Sequence, residues 1–357
     1  MNPSVTVQVD TYNHERFIEE ALASVVEQDF PAPEMEIIVV DDGSTDGTAE
    51  IVQRFAPRVR LLRKKNGGQA SAFNSGIPEA RGEIVAFLDG DDWWARNKLT
   101  RVVETMASDP EVGIVGNGIT VVQGDGQSFS EVLREGFCFR ANSLEGARLF
   151  RLRKSLLGTS RMTIRRELLR RIGPVPEPLT VEADEYLFTL AAVLAKARIV
   201  PEALTFYRIH ESNGFQIVTG DAERSRRKMK VLAALVTALS GALDRVEIAP
   251  EARDVLLQIV RAEADQLRLS LDGGWPWQTA TTEWTLYRVL RPDASLAHRL
   301  FKLATLSVAL TLPPPTFYRM RSRAAASRAF GKFRRTFFAG EGPKHVEFVS
   351  SADRARP

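Results

Sequence analysis

Residues 85–94, Val-Ala-Phe-Leu-Asp-Gly-Asp-Asp-Trp-Trp, hold the densest set of groups in this chain that could do chemistry. Asp89, Asp91 and Asp92 crowd their carboxylates directly after the apolar run 84–88, which reads as a strand buried on both faces. Such crowding costs like-charge repulsion and desolvation unless a cation or hydrogen-bond donors neutralise it. Hard oxygen ligands at this spacing suit Mg²⁺ or Mn²⁺, which keep some water and also bind phosphates. The competing reading is an acidic surface turn in which Gly90 permits a positive φ.

The elements that would position this cluster alternate along the first part of the chain. Strand patterns at 5–9, 37–40, 59–62 and 84–88 are separated by helical patterns at 15–27, after Ser44, Thr45 and Asp46, and from Gln69 to about residue 80. Four βα units in succession predict an α/β fold with a doubly wound, mostly parallel sheet. Sheets of this kind bind ligands beyond the carboxyl ends of their strands, where strand order reverses. Those ends read Asp10-Thr11-Tyr12-Asn13, Asp41-Asp42-Gly43-Ser44, Asn66-Gly67-Gly68 and Asp89-Gly90-Asp91-Asp92. Neither a Gly-x-Gly-x-x-Gly turn nor a Walker-type loop is present, which favours metal-mediated diphosphate binding over a dinucleotide or P-loop site.

Composition narrows the class. With 44% hydrophobic and 26% charged residues in 357, the chain can bury a sizeable core and is not expected to be disordered. The single cysteine, Cys138, excludes an intrachain disulfide and fits a reducing compartment. No apolar stretch approaches the roughly 20 residues of a membrane span, and residues 1–9 lack the regions of a signal peptide. The expectation is a cytoplasmic protein. Basic residues gather at 63–65 and in the C-terminal tail without aromatics interleaved around the strand-end motifs, so nucleic acid is not expected as a partner.

The segments Val-Thr-Val-Gln-Val-Asp-Thr-Tyr-Asn (5–13), Val-Val-Asp-Asp-Gly-Ser-Thr-Asp (39–46), Asn-Gly-Gly-Gln-Ala-Ser-Ala-Phe-Asn-Ser-Gly (66–76) and Phe-Leu-Asp-Gly-Asp-Asp (87–92) resemble, in order and spacing, the successive motifs of the family-2 inverting glycosyltransferases. The resemblance is specific over 4–110 and weaker to about 215. It implies an A-type nucleotide-sugar-binding fold, a divalent metal, Mg²⁺ or Mn²⁺, and a nucleoside-diphosphate sugar donor, with a UDP-sugar first in line. By motif position it implies that Asp41 accepts a hydrogen bond from the base and that Thr11 and Tyr12 line base and ribose. Asp10, Asn66, Gln69, Asn74, Asp89 and Asp91 complete the donor set, and Asp91 or Asp92 is the direct metal ligand. Two positions depart from the pattern: Asp10 stands where the family commonly has Pro, and Phe73 where an Arg often precedes the Asn.

On the acceptor side, 156–160 reads as a strand leading into a helix at 165–169, and Glu182, Asp184 and Glu185 open an apolar helix. If that helix begins near residue 183, Asp184 lies on the stripe of Leu187, Phe188 and Ala191, which makes it the candidate general base; helix capping is the alternative role. The segment Phe206-Tyr207-Arg208-Ile209-His210 also occurs in the family, and His210 is a candidate for the metal or a phosphate, against a packed or surface histidine. The expected organisation is a catalytic domain over 1–218, an appended helical region over 219–312 and a basic tail over 313–357. In that tail Arg319, Arg321, Arg323 and Arg328 mix with Phe317, Phe330 and Phe333, a pattern suited to peripheral contact with the inner face of an anionic membrane or, equally, to packing on the helical region or a dimer contact. Two functions of different class follow: a transferase acting on a saccharide or lipid-linked hydroxyl in cell-surface polysaccharide or glycoconjugate synthesis, or a non-catalytic nucleotide-sugar-binding or partner-binding protein. The complete carboxylate set favours the enzyme.

Overall fold

The structure, a computed structural model, describes residues 4–124, 126–210, 222–290, 294–326 and 346–350. Strands β1 (Val5–Thr11), β2 (Met35–Asp41), β3 (Val59–Arg63) and β4 (Ile84–Asp89) run parallel in the order β4-β1-β2-β3. Helices α1 (Ile18–Val26), α2 (Thr48–Gln53) and α3 (Gln69–Gly76) make the crossovers between them. The ladders extend through the polar strand ends, where Thr11 is opposite Asp41 and Asp10 opposite Asp89. Strand order reverses between β1 and β4, so the aspartates of the central strand pair mark the switch point.

Both faces of the sheet are covered, as an uninterrupted apolar strand requires. Val85 and Phe87 of β4 enter one core, with Phe73 of α3 edge-on to Phe87 at 5.3 Å; Ile84, Ala86 and Leu88 enter the other, with Leu22 of α1 and Leu99 of α4 (Lys98–Ser108). Phe73 is therefore a core residue, which accounts for its departure from the motif.

Beyond β4 the sheet becomes mixed. A two-residue strand, β5 (Trp93–Trp94), precedes β6 (Val112–Val122), β7 (Ser128–Leu133) and β8 (Phe137–Phe139); β9 (Thr163–Arg165) lies antiparallel between β4 and β6, and β10 (Lys196–Arg208) runs parallel to β6. The glycines at 116 and 118 do not interrupt β6; the irregularity falls on β10, whose register shifts between Val200 and Thr205. Residues 156–160 form two 3-10 turns, Lys154–Leu157 and Thr159–Arg161, rather than a strand, and the strand begins only at Thr163. That difference matters because the turns carry Thr159 and Ser160 to the polar edge. Helices α5 (Leu144–Arg153), which the sequence reading leaves unassigned, α6 (Arg166–Ile172) and α7 (Ala183–Leu194) complete this half.

Helices α8 (Ala222–Leu243), α9 (Pro250–Asp272), α10 (Pro276–Leu290), α11 (Leu296–Thr311) and α12 (Pro314–Ala326) follow. Leu235 and Leu239 of α8 and Leu257 of α9 lie in the same core as Phe87 and Leu187, so the apolar interior continues past residue 218. Phe317 of α12 packs with Leu269 and Ala309, turned inward rather than toward a membrane. The tail beyond 326 lies outside the described residues except for β11 (Val346–Ser350), which pairs antiparallel with β7.

Candidate active site

Adjacent strands lie about 4.8 Å apart, so Asp41, Thr11 and Asp89, on β2, β1 and β4, share one edge roughly 10 Å wide. Asp10, buried at the switch point, accepts a hydrogen bond on Oδ1 from Gln8 Nε2 at 3.0 Å, while its Oδ2 has no partner. Burial pushes its carboxyl up to about 7, Gln8 opposes this and Asp42 adds to it. The Asp41 carboxylate has no exposure; Ser44 N donates to Oδ1 at 2.8 Å and Arg63 Nε to Oδ2 at 3.0 Å. The group that the resemblance assigns to the base is thus engaged by protein donors, with Arg63 as its outward extension. Asp42 suspends the 66–68 loop, accepting from Gly67 N at 3.0 Å, Gly68 N at 2.7 Å and Lys64 Nζ at 2.6 Å. Asn66 and Tyr12 are exposed at this edge, Tyr12 by 44%.

At the end of β4 the three aspartates take different environments. Asp91 Oδ2 lies 3.0 Å from His210 Nε2 and 3.8 Å from His14 Nε2. Burial pushes the Asp91 carboxyl up, but the His210 hydrogen bond and the nearby His14 outweigh it and hold it below the usual range. Asp92 is buried; Ser160 Oγ donates to it at 2.6 Å and the Arg208 backbone N–H at 3.1 Å, while burial and then Asp91 push its carboxyl up to about 8. Asp89 is raised well above the carboxylate range by burial, then by Asp91 and Asp92. Gly90 is absent from the positive-φ glycines, so the turn does not need it for conformation. A Cβ there would stand 2.7 Å from Thr11 Oγ1 and 2.9 Å from His14 Nδ1; the residue is small because β1 and the cluster approach closely.

The end of β10 locks this loop from behind. Phe206 stacks on Trp93 at 5.1 Å, and the Arg208 guanidinium lies over the rings of Trp93 at 4.4 Å and Phe17 at 5.0 Å while donating to the Asp91 carbonyl at 3.1 Å. Lys98, fully buried, donates to the Ser160 carbonyl at 2.6 Å, which fixes the residue that grips Asp92.

Across the 3-10 turns stands Asp184, on a helix that begins at Ala183 as the pattern predicts. Thr159 N and Oγ1 donate to its Oδ2 at 3.0 and 3.1 Å. Burial, then Glu182, push its carboxyl up to about 6, against the Thr159 hydrogen bonds. Its neighbours are neutralised by cations: Glu182 by Lys228 at 2.7 Å and Glu185 by Lys154 at 2.6 Å. Adjacent residues therefore join the two acidic sites, Thr159 holding Asp184 and Ser160 holding Asp92. Gln69 supports the same junction, donating to Thr159 Oγ1 at 3.0 Å and accepting from Ala183 N at 2.8 Å, a positioning role rather than an open contact. Asn74 does not face the site: its amide is spent on Val175 and Glu177. The sequence reading missed His14, Ser160 and Thr159. His14 carried the available signal, lying three residues past Thr11 at a strand end, whereas nothing local marks Thr159 and Ser160 as partners of residues so distant in sequence.

Among the described residues, no three His, Cys, Asp or Glu side chains are arranged to hold a metal ion by themselves. The donor chemistry nevertheless fits Mg²⁺ or Mn²⁺ arriving with a diphosphate, because such ions bind through one or two carboxylates plus phosphate oxygens. Burial and the mutual repulsion of the aspartates raise the Asp89 and Asp92 carboxyls, and a cation bound among them would lower both again.

Comparison with known proteins adds a family. A model described as glycosyl transferase family 2 matches residues 6–173. An uncharacterized glycosyltransferase of Nostoc sp. is 31% identical over 224 residues, covering 58% of this chain and 66% of its own. The poly(ribitol-phosphate) beta-N-acetylglucosaminyltransferase TarS of Staphylococcus aureus is 42% identical over 98 residues, 26% of this chain and 17% of TarS. The chain thus spans no more than about two thirds of either relative. In three dimensions, the structure of TarS 1-349 with UDP superposes with a TM-score of 0.58 at 21% identity, covering 89% of this chain and 91% of that one. The mannosyltransferase PcManGT of Pyrobaculum calidifontis, solved with GDP-Man and Mn²⁺, gives 0.52 at 26% identity, covering 87% and 81%. These neighbours share the A-type architecture with a helical C-terminal region.

Proposed function

Because residues 6–173 belong to glycosyl transferase family 2, we propose that this protein moves a sugar from a UDP-sugar to a hydroxyl of a saccharide or lipid-linked acceptor, with inversion at the anomeric carbon, in the synthesis of a cell-surface polymer or glycoconjugate. The observation that carries this reading is the junction at Thr159 and Ser160, which sets Asp184, a carboxylate without a cation partner among the described residues, beside the acidic cluster of Asp89, Asp91 and Asp92. Direct displacement needs that division of labour. A group on the acceptor side takes the hydroxyl proton while the oxygen attacks the anomeric carbon, and the bond to the β-phosphate breaks with its electron pair leaving on the diphosphate. With a carboxyl near 6, Asp184 is ionised at neutral pH and basic enough to receive the proton. Glu182 and Glu185 are committed to lysines.

On the donor side, Tyr12 is exposed to line base and ribose, Asp41 acts through Arg63, and Asn66 and Asp10 complete the edge. Mg²⁺ or Mn²⁺, held by Asp91 with Asp89 or Asp92 and His210, would offset the charge developing on the leaving diphosphate. UDP is the favoured nucleotide because TarS, 42% identical along its matched stretch, is solved with UDP-GlcNAc; GDP-Man in the mannosyltransferase is the competitor.

Calorimetry with UDP and GDP, each with and without Mn²⁺, tests the donor site. Tighter UDP binding with Mn²⁺, abolished by Asp91→Asn, is the expected result, and equal affinity in both conditions would remove the metal role. Nucleoside diphosphate release over panels of donors and acceptors tests the chemistry. Binding without release from any pair would leave the non-catalytic reading in its place.

A further inference from the structure

A helix on a water-facing surface normally turns its apolar stripe inward. Helix α11 does the reverse. Leu296, Leu300, Leu303 and Leu310, spaced to share one face, are 73%, 57%, 51% and 54% exposed, while the helix packs through Ala309. On neighbouring α10, Trp277 and Trp284 stand seven residues apart on a common face and are 58% and 40% exposed. Trp284 stacks on Tyr287 at 5.6 Å, and Tyr287 lies 5.7 Å from the His298 ring on the inward side of α11, so the two exposed rows stand on neighbouring helices. An exposed apolar surface of this extent marks a docking site.

Charge indicates the occupant. In α10 and α11, Arg288, Arg299 and Lys302 face a single acid, Glu283. Glu283 is buried and already binds Lys302 and Arg321, so the exposed charge of these helices is positive throughout. A second copy of the chain would bring like charge against like. Tryptophan rings beside leucines, rimmed by arginine, match the boundary between headgroups and acyl chains of an anionic bilayer. No helix among the described residues is long and apolar enough to cross a membrane, so the contact would be with its surface.

We propose that the α10–α11 face is a docking surface for an anionic lipid bilayer, with the leucines and tryptophans entering the headgroup boundary and Arg288 and Arg299 meeting phosphate. The site is distinct from the basic tail, and the inference stands independently of the catalytic reading.

The test is flotation of the full chain with phosphatidylcholine vesicles, with and without phosphatidylglycerol, alongside light scattering of the free protein. The full chain is expected to float with the anionic vesicles only, and less so as salt rises. Leu300→Glu with Leu303→Glu, both more than half exposed, is expected to keep the wild-type melting temperature and to lose roughly tenfold or more in vesicle affinity. Unchanged flotation of this variant would assign lipid binding to the tail and overturn the proposal. So would a wild-type dimer that the variant dissociates, because the leucine face would then be a contact between copies. If the double variant misfolds, Trp277→Ser carries the same comparison.

Discussion

Asp184, half-buried, and Asp10, buried, both have raised carboxyls, yet they lead to different expectations. Asp184→Asn keeps the shape and the Thr159 contacts but removes the proton acceptor; UDP affinity should persist while kcat falls about 10²- to 10⁴-fold. Wild-type turnover should rise with pH through about 6 as the carboxyl ionises, and a profile flat from pH 5 to 8 would move the base elsewhere. Asp10 has an unpartnered Oδ2 and a carboxyl near 7 instead of 3.8. A carboxyl raised in the folded state contributes stability fully present below the unfolded value and lost as pH rises through the folded one, here between about 4 and 7. Asp10→Asn keeps an acceptor for Gln8 and removes that loss. The melting temperature of Asp10→Asn minus wild type should therefore grow between pH 5 and pH 8, by an amount worth on the order of 1 to 4 kcal/mol. A constant difference would mean that Asp10 does not titrate there.

At the scale of elements, short polar segments set the site and long regular ones hold it. The 66–68 loop hangs from Asp42 through two backbone N–H groups and Lys64. Asp42→Ala leaves those donors without their acceptor, at about 1–3 kcal/mol for each one that stays buried. Amide exchange at Gly67 and Gly68 should accelerate and UDP affinity should drop, with the core strands protected as before; unchanged exchange would show that the loop is held by other contacts. Strand β10 acts from the other side. Its last residues reach the Asp91–Asp92 turn only because β5 pairs antiparallel with it, Trp93 against Phe206.

At the scale of the molecule, the apolar interior joins the sheet to the helical region. Leu232, Leu235 and Leu239 of α8 and Leu256, Leu257 and Val260 of α9 belong to the core that includes Phe87 and Leu187. A chain ending at residue 218 would uncover the surface these residues bury, each large side chain being worth about 1.5–3 kcal/mol. It is expected to aggregate or to melt well below the full chain in calorimetry. A soluble fragment with the full chain's melting temperature would establish 1–218 as a free-standing unit.

The four βα units, the parallel half of the sheet and the polar strand ends were legible in the sequence, because strand and helix periodicities and abrupt polar stops are local properties. The start of α7, and with it the position of Asp184, was legible for the same reason. Pairings between distant segments decided the rest. Which aspartate meets histidine, which is buried against Ser160 and which carboxylates are silenced by lysine depend on residues brought in from β10, α8 and the 3-10 turns. Asn74 looks like a site residue by motif and becomes structural through its hydrogen bonds to Val175 and Glu177, while its neighbour Phe73 lies in the core. The two histidines on Asp91 show the same limit. Strand register and the close approach at Gly90 bring His14 and His210 together, and composition or spacing along one segment carries no record of that distance.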